Sequence, residues 1–267
     1  PGSSASPAAL SGSTPRAVSA GGASNVASGA PVPLLWKVSD GDNKVYLLGS
    51  FHALKPSDYP VAPQVDAAFK DAELVAFEVP PEEMTSPDLG MEMMQAAMQP
   101  EGGSLQTAVD APTWGRVQAY CQSRGMPVEG FNALEPWMVA LVISMTEMGR
   151  VGYDPQQGLD QQLIKRAEEE HKRTMGLETG ASQIAVLDGM SADEQKQSLK
   201  EALDDADNLH ELDELHDQWR RGDTAALESK LTVEFKTRYP SLYQRIDVDR
   251  NNAWIPKIRQ MLDAPGH

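Results

Sequence analysis

Two short apolar runs, Leu34-Leu-Trp-Lys-Val-Ser39 and Lys44-Val-Tyr-Leu-Leu-Gly49, flank Asp40-Gly-Asp-Asn43. The intervening residues tolerate positive φ, so the pattern predicts a β-hairpin. Apolar Val65, Ala68 and Phe69 then recur at helical spacing behind Pro63, which suits a first helical turn. Leu74-Val-Ala-Phe-Glu-Val79 reads as a strand stopped by Pro80-Pro81. Beyond residue 85 the period becomes helical over 87–98, 111–124, 135–149, 159–172, 181–187, 191–220, 224–237 and 239–262. One further short strand is predicted at Thr174-Met-Gly-Leu177. The expected class is α+β with α/β character: a small mixed sheet holding a hairpin and a parallel βαβ unit, covered by many helices and a large helical insertion.

The chain has 267 residues, and the stretch from Pro1 to Pro33 is almost wholly Ala, Ser, Gly, Pro and Val, with Arg16 as its single charge. Such a segment lacks the apolar surface to repay its ordering entropy, so residues 1–33 read as a low-complexity linker or tail. Residues 34–267 then form one domain. A tail of this kind often tethers an exported domain, so a periplasmic or secreted location with the leader removed is expected. The net charge, 23 − 39 = −16, repels phosphate backbones and anionic membrane surfaces, which disfavours nucleic-acid partners. The longest apolar run, Trp137 to Ile143, is too short to span a bilayer. One cysteine, Cys121, excludes an intrachain disulfide and a multi-cysteine zinc site, and its amphipathic setting predicts burial.

Candidate chemistry collects where the predicted strands end. A strand–helix–strand crossover sets its two strands parallel, so their carboxyl ends share one sheet edge, where crevices of open sheets bind ligands. His52, in Gly49-Ser-Phe-His52, follows the first strand and Glu78 ends the second; Glu178 follows the third. An imidazole beside a carboxylate suits a divalent metal or an acid/base pair that activates water. The same pair also suits a turn-capping histidine beside a buried glutamate with a basic partner. His210-Glu-Leu-Asp-Glu-Leu-His216 has its histidines six apart rather than four, off one helical face, and reads as a solvated acidic helix. His171, among Glu168, Glu169 and Glu170, reads as an exposed face. The methionines Met91, Met93, Met94 and Met98 read as helix packing in preference to a soft peptide-binding surface. Trp114, Trp137, Trp219 and Trp254 read as core or interhelical anchors. A phosphate loop and a G-x-S-x-G elbow are both missing from the sequence, which disfavours ATPases and serine hydrolases.

Several motifs in order resemble the TraB/GumN group, relatives of the Tiki proteases. These are Leu34-Leu-Trp-Lys, Val45-Tyr-Leu-Leu-Gly-Ser-Phe-His52, Ala76-Phe-Glu78, Glu135-Pro-Trp137, Gly158-Leu-Asp160, Gly176-Leu-Glu-Thr179, Gln183 and Arg250-Asn-Asn-Ala-Trp254. The resemblance implies a fold similar to erythromycin esterase and ChaN-like proteins. It also implies a hydrolase cleaving peptides with a divalent ion, Mn, Co or Zn. His52 and Glu78 map to the group's metal-binding and catalytic positions, and Arg250 to a polar position beside them. Asp160 and Glu178 carry over as further residues near the site. The group's pattern continues with a strand and a second G-x-x-H that this sequence does not contain, so an incomplete, inactive site is also expected. The rival expectation is a non-catalytic protein that holds a peptide or small molecule in the same crevice.

Overall fold

The structure is a computed structural model that describes residues 18–19 and 29–264. Most of the expected tail, residues 1–33, lies outside the described residues. Its last part is packed: Pro31 is fully buried, the Val32 amide donates to Arg220 O at 2.8 Å, and Ala62 donates to Pro31 O at 2.8 Å.

The hairpin forms as expected. Strands β2 (Leu35–Ser39) and β3 (Lys44–Leu48) pair antiparallel in the register Leu35↔Leu48 to Ser39↔Lys44. Asp40 closes the turn by accepting from the Asn43 amide at 2.9 Å. A two-residue strand β1 (Val18–Ser19) adds antiparallel to β2. Helix α1 (Pro63–Asp71) begins on Pro63 and buries Val65, Ala68 and Phe69, the residues that the helical period selects. Strand β4 (Leu74–Phe77) comes next.

One expectation fails here. The crossover predicts β3 and β4 in one sheet, but β4 instead pairs in parallel with β5 (Arg173–Gly176), in the register Leu74↔Arg173 to Phe77↔Gly176, away from the β2–β3 sheet. Among the described residues β3 pairs only with β2, so two small sheets replace one. The parallel partner of β4 arrives through the long helical insertion, and α1 packs Phe69 against Phe77 and Ile164 rather than closing a β3–β4 ladder. The two strands still run alike. Lys44 and Tyr46, on β3, both reach Asp71 just ahead of β4, at 2.7 and 2.9 Å, and the strands' exits meet at the site.

The insertion runs through α2 (Pro81–Met84), α3 (Pro87–Ala97), α4 (Leu105–Ala108), α5 (Ala111–Arg124), α6 (Val128–Asn132), α7 (Pro136–Arg150) and α8 (Leu159–Glu169) before β5. Then come α9 (Gly180–Asp188), α10 (Ala192–Asp207) and α11 (His210–Arg221); the expected single helix over 191–220 breaks at Asn208. Two helical runs with π-type middles finish the chain: α12 (Thr224–Glu228) into α13 (Phe235–Arg238), and α14 (Pro240–Tyr243) into α15 (Arg250–Asp263). Side chains of α5, α7 and α10, among them Val117, Cys121, Val139, Ile143 and Leu199, build the main helical core. Burial pushes the Cys121 thiol pKa up, in keeping with a packed rather than reactive role. Among the described residues no helix is long and apolar enough to cross a membrane.

Two sequence expectations need correction. The methionine-rich helix α3 and the Met98 that caps it leave Met91, Met94 and Met98 at 63, 51 and 47% exposure, while Met93 alone of the four packs on a core. On α11, His210 is exposed, but His216 is only 6% exposed and bonds Asp58 through Nε2 at 2.9 Å. Asp58 is fully buried; it also takes the Lys55 amide at 2.8 Å and an ion pair from Arg220. His216 lies with Leu212, Leu215 and Trp219 at i, i+3, i+4 and i+7, so α11 turns it inward with its apolar stripe.

Removing one partner of such a cluster leaves the others buried and unpaired. Asp58→Ala is expected to destabilise the fold by about 3–5 kcal/mol, lowering the thermal midpoint by roughly 10 °C. Calorimetry or circular dichroism reads the outcome; a shift within a degree or two would show the cluster to be dispensable.

Candidate functional site

Six elements deliver side chains to one place: the exits of β3, β4 and β5 and the amino-terminal turns of α8, α9 and α15. The β3 exit is held by its backbone. Trp219 Nε1 donates to Gly49 O at 3.0 Å, and Leu159 N donates to Phe51 O at 3.0 Å. The Phe51 ring packs against Trp219 and His216, with centroids 5.6 and 5.7 Å away. Gly158 leaves room for this approach, because a Cβ there would lie 2.2 Å from His52 O. The result is a pinned backbone carrying an exposed imidazole, whose side chain is 71% accessible.

His52 Nδ1 lies 2.7 Å from Asp160 Oδ2, in the first turn of α8, and His52 Nε2 lies 4.0 Å from Glu78 Oε1, past the end of β4. The sequence places Asp160 only near the site; the structure gives it direct contact with His52. The hydrogen bond to Asp160 raises the His52 pKa above its ordinary value, outweighing the opposite pull of partial desolvation by the surrounding protein, and the charges of Asp160 and Glu78 add to the rise. Burial pushes the Asp160 carboxyl up, but the hydrogen bond and charge of His52 bring it below its ordinary value.

Glu78 and Glu178 leave adjacent parallel strands and share two donors. Arg250 Nη2 reaches Glu78 Oε2 at 2.7 Å and Glu178 Oε1 at 2.5 Å, and its Nε reaches Glu178 Oε1 at 3.0 Å. Gln183 Nε2, from α9, donates to the same two oxygens at 2.9 and 2.8 Å. One oxygen of Glu78 is thereby committed, and Oε1 is left facing His52. In the sequence Gln183 is only one member of a motif, and its place between two carboxylates is something periodicity does not signal. The crevice at this point is lined by His52, Glu78, Val79, Met84, Asp160 and Gln183.

Asp160→Asn is expected to lower the His52 pKa, since it removes the carboxylate that favours imidazolium. Proton NMR titration of the imidazole reads this directly; an unchanged midpoint would detach His52 from Asp160. The sign carries into stability. With the folded pKa raised, the stabilising contribution of His52 is fully present below about pH 6.5 and is lost as pH rises through the higher folded value.

The family profile described as TraB/PrgY/gumN matches residues 34–267. "Uncharacterized protein YbaP" of Escherichia coli (strain K12) and its namesake in Shigella flexneri are each 24% identical over 226 residues, which cover 83% of this chain and 80% of theirs. No solved structure matches. With the strand exits, Arg250 and the Gly158-Leu-Asp160 turn all inside the matched span, the chain belongs to the TraB/PrgY/gumN family.

Proposed function

We propose that this protein is a hydrolase acting on peptide bonds, with His52 as general base, Asp160 as the group that orients it, and Glu78 beside the attacked centre. The observation that carries the reading is the 2.7 Å contact between Asp160 and Nδ1, with Nε2 turned toward Glu78. A carboxylate on Nδ1 holds the N–H there and leaves the Nε2 lone pair for water. In the proposed step Nε2 takes a proton from water as the water oxygen bonds to the peptide carbonyl carbon. The C–N bond then breaks, and the amine leaves with the proton that His52 returns. Arg250 and Gln183 hold Oε2 of Glu78, so Oε1 keeps its aim.

A divalent ion, Mn, Co or Zn, is implied by the family resemblance. The donors on hand are His52 Nε2 and Glu78 Oε1, whereas catalytic ions usually take three protein ligands. Among the described residues no group of three or more His, Cys, Asp or Glu is arranged to hold one. These two donors do not make a resident metal centre, and the proposed step uses none. The commitment of Glu78 to Arg250 and Gln183 favours a second reading, a crevice that binds peptide without turnover.

Loss of a general base costs about 10²–10⁴-fold, so His52→Ala should lower kcat/KM for unfolded peptide substrates by that order. Asp160→Asn should lower it less and move the acid limb of the pH–rate profile downward with the His52 pKa. Peptide cleavage assayed with chelator and with added Mn²⁺ separates the mechanisms. A chelator-insensitive rate supports His52 as base, and a rate present only with Mn²⁺ assigns water activation to a metal. Binding without cleavage under both conditions would establish the second reading.

Titration calorimetry with Mn²⁺, Co²⁺ and Zn²⁺ is expected to show weak binding that His52→Ala abolishes. Tight binding unaffected by that change would place a metal elsewhere.

A further inference from the structure

The large apolar side chains that this protein exposes to water are concentrated in one place. Half of those among the described residues, Met84, Met91, Met94 and Met98, fall on α2, on α3 and at the cap of α3. Met91, Met94 and Met98 stand at i, i+3 and i+7 and form one stripe along α3, while Met93 and Ala97 on the opposite side face the core. A stripe on the solvent side adds nothing to the core, and contiguous exposed apolar surface marks a binding face. Methionine suits that use, because its unbranched thioether adapts to side chains of varied shape.

The stripe leads to the site. Met84 lines the crevice together with His52, Glu78 and Gln183. The amino end of α3 is tied down beside it: Glu83 Oε2 takes the Gly180 amide at 2.8 Å, and Leu89 fills the space that a Cβ on Gly180 would need. From there α3 carries the stripe away from the crevice for about 16 Å, at ~1.5 Å per residue. An extended peptide of about five residues covers that length.

Charge says what lies on it. From Asp71 to Gly115 the sequence contains acids but no Lys, Arg or His. The same holds from Thr174 to Gln195, a span that includes α9, the helix packed on α3. Glu82, Asp88 and Glu92 flank the methionines; all three are exposed, and no salt bridge among the described residues involves them. Anionic lipid, nucleic acid and a second copy of this chain, at net charge −16, are repelled from such a face. A cationic segment with bulky apolar side chains is attracted to it on both counts.

We propose that the methionine stripe of α3, with Met84 and the acids beside it, is a docking surface for an unfolded peptide segment rich in Lys or Arg and in bulky apolar residues, laid along α3 with one end in the His52–Glu78 crevice. The proposal names the substrate class for the peptide-hydrolase reading and rests on that reading for any cleavage.

The probe is a capped, flexible peptide of about ten residues that mixes Lys with Leu and Phe among Ser spacers. It is offered to the full chain carrying His52→Ala, so that it stays intact. Two control peptides replace every Lys by Glu, or every Leu and Phe by Ser. Methionine methyl groups labelled with ¹³C report the place of binding, at roughly 0.15 M salt to screen diffuse attraction. The signals of Met84, Met91, Met94 and Met98 should shift saturably with the first peptide, while those of buried Met138 and Met190 move little. Both controls should bind roughly tenfold more weakly or worse. The same loss is expected for the first peptide when the chain also carries Met91→Gln, Met94→Gln and Met98→Gln, exposed changes that alter no charge. Unmoved signals at the four methionines, equal binding by either control, or full affinity in the triple variant overturns the proposal. So does self-association that shifts those signals without peptide. Binding that passes these tests, with no cleavage by the unmodified chain, removes the hydrolase reading and leaves the docking surface standing. Cleavage of the peptide at an unchanged kcat/KM by the triple methionine variant, with His52 in place, does the reverse.

Discussion

Two carboxylates at the ends of adjacent parallel strands repel each other, and the fold depends on resolving that repulsion. Glu78 and Glu178 sit one strand apart, and Arg250 supplies the shared positive charge from 172 residues beyond Glu78. Its guanidinium is planar and always charged, so it bridges two carboxylates as a lysine could not. The same contact docks the first turn of α15 on the strand exits, and Trp254 stacks beneath the guanidinium at 4.8 Å. At the other end of α15, the Asn43 side chain caps the carbonyls of Met261 and Leu262 at 2.9 Å each. The helix is therefore pinned to the site at one end and to the hairpin at the other. Gln183 adds a neutral donor between the carboxylates, which leaves Glu78 half committed and half available.

How much of this is legible in the sequence depends on the range of the interaction. The hairpin, α1 and α5 follow from local period and turn chemistry, and their edges fall where Asp40, Pro63 and Asp110 place them. The meeting of His52 with Glu78 follows from crossover topology, although the two strands lie in separate sheets, because β4 takes its partner from β5. Sequence pattern ranks candidate strands but carries no information on which of two distant segments completes a ladder. The roles of Asp160 and Gln183 require distances. His216 is readable yet easily misread: its spacing from the other histidine of α11 hides its place on that helix's apolar stripe. The methionines of α3 are unreadable, since Met suits a core and an exposed face alike.

Charge arrangement also separates the site from the surface. Surface acids form solvated pairs such as Asp66 with Lys70 and Arg166, which contribute little to stability. The site's acids are instead each tied to a specific donor: Asp160 to His52, Glu78 and Glu178 to Arg250 and Gln183. That contrast marks the crevice as a place where charge is positioned rather than merely dissolved.

The pinning of the Gly49–His52 loop has a consequence for how the protein comes into being. Its holds are distant along the chain: Trp219 lies 170 residues after Gly49, and Asp160 lies 108 after His52. Contacts of such sequence separation form only once long loops have been closed, which makes them slow and late. A chain with its helices already wound would still lack an oriented imidazole. The reactive geometry is thus a property of the finished molecule, and a nascent or partly opened chain carries His52 as an ordinary, unaimed side chain.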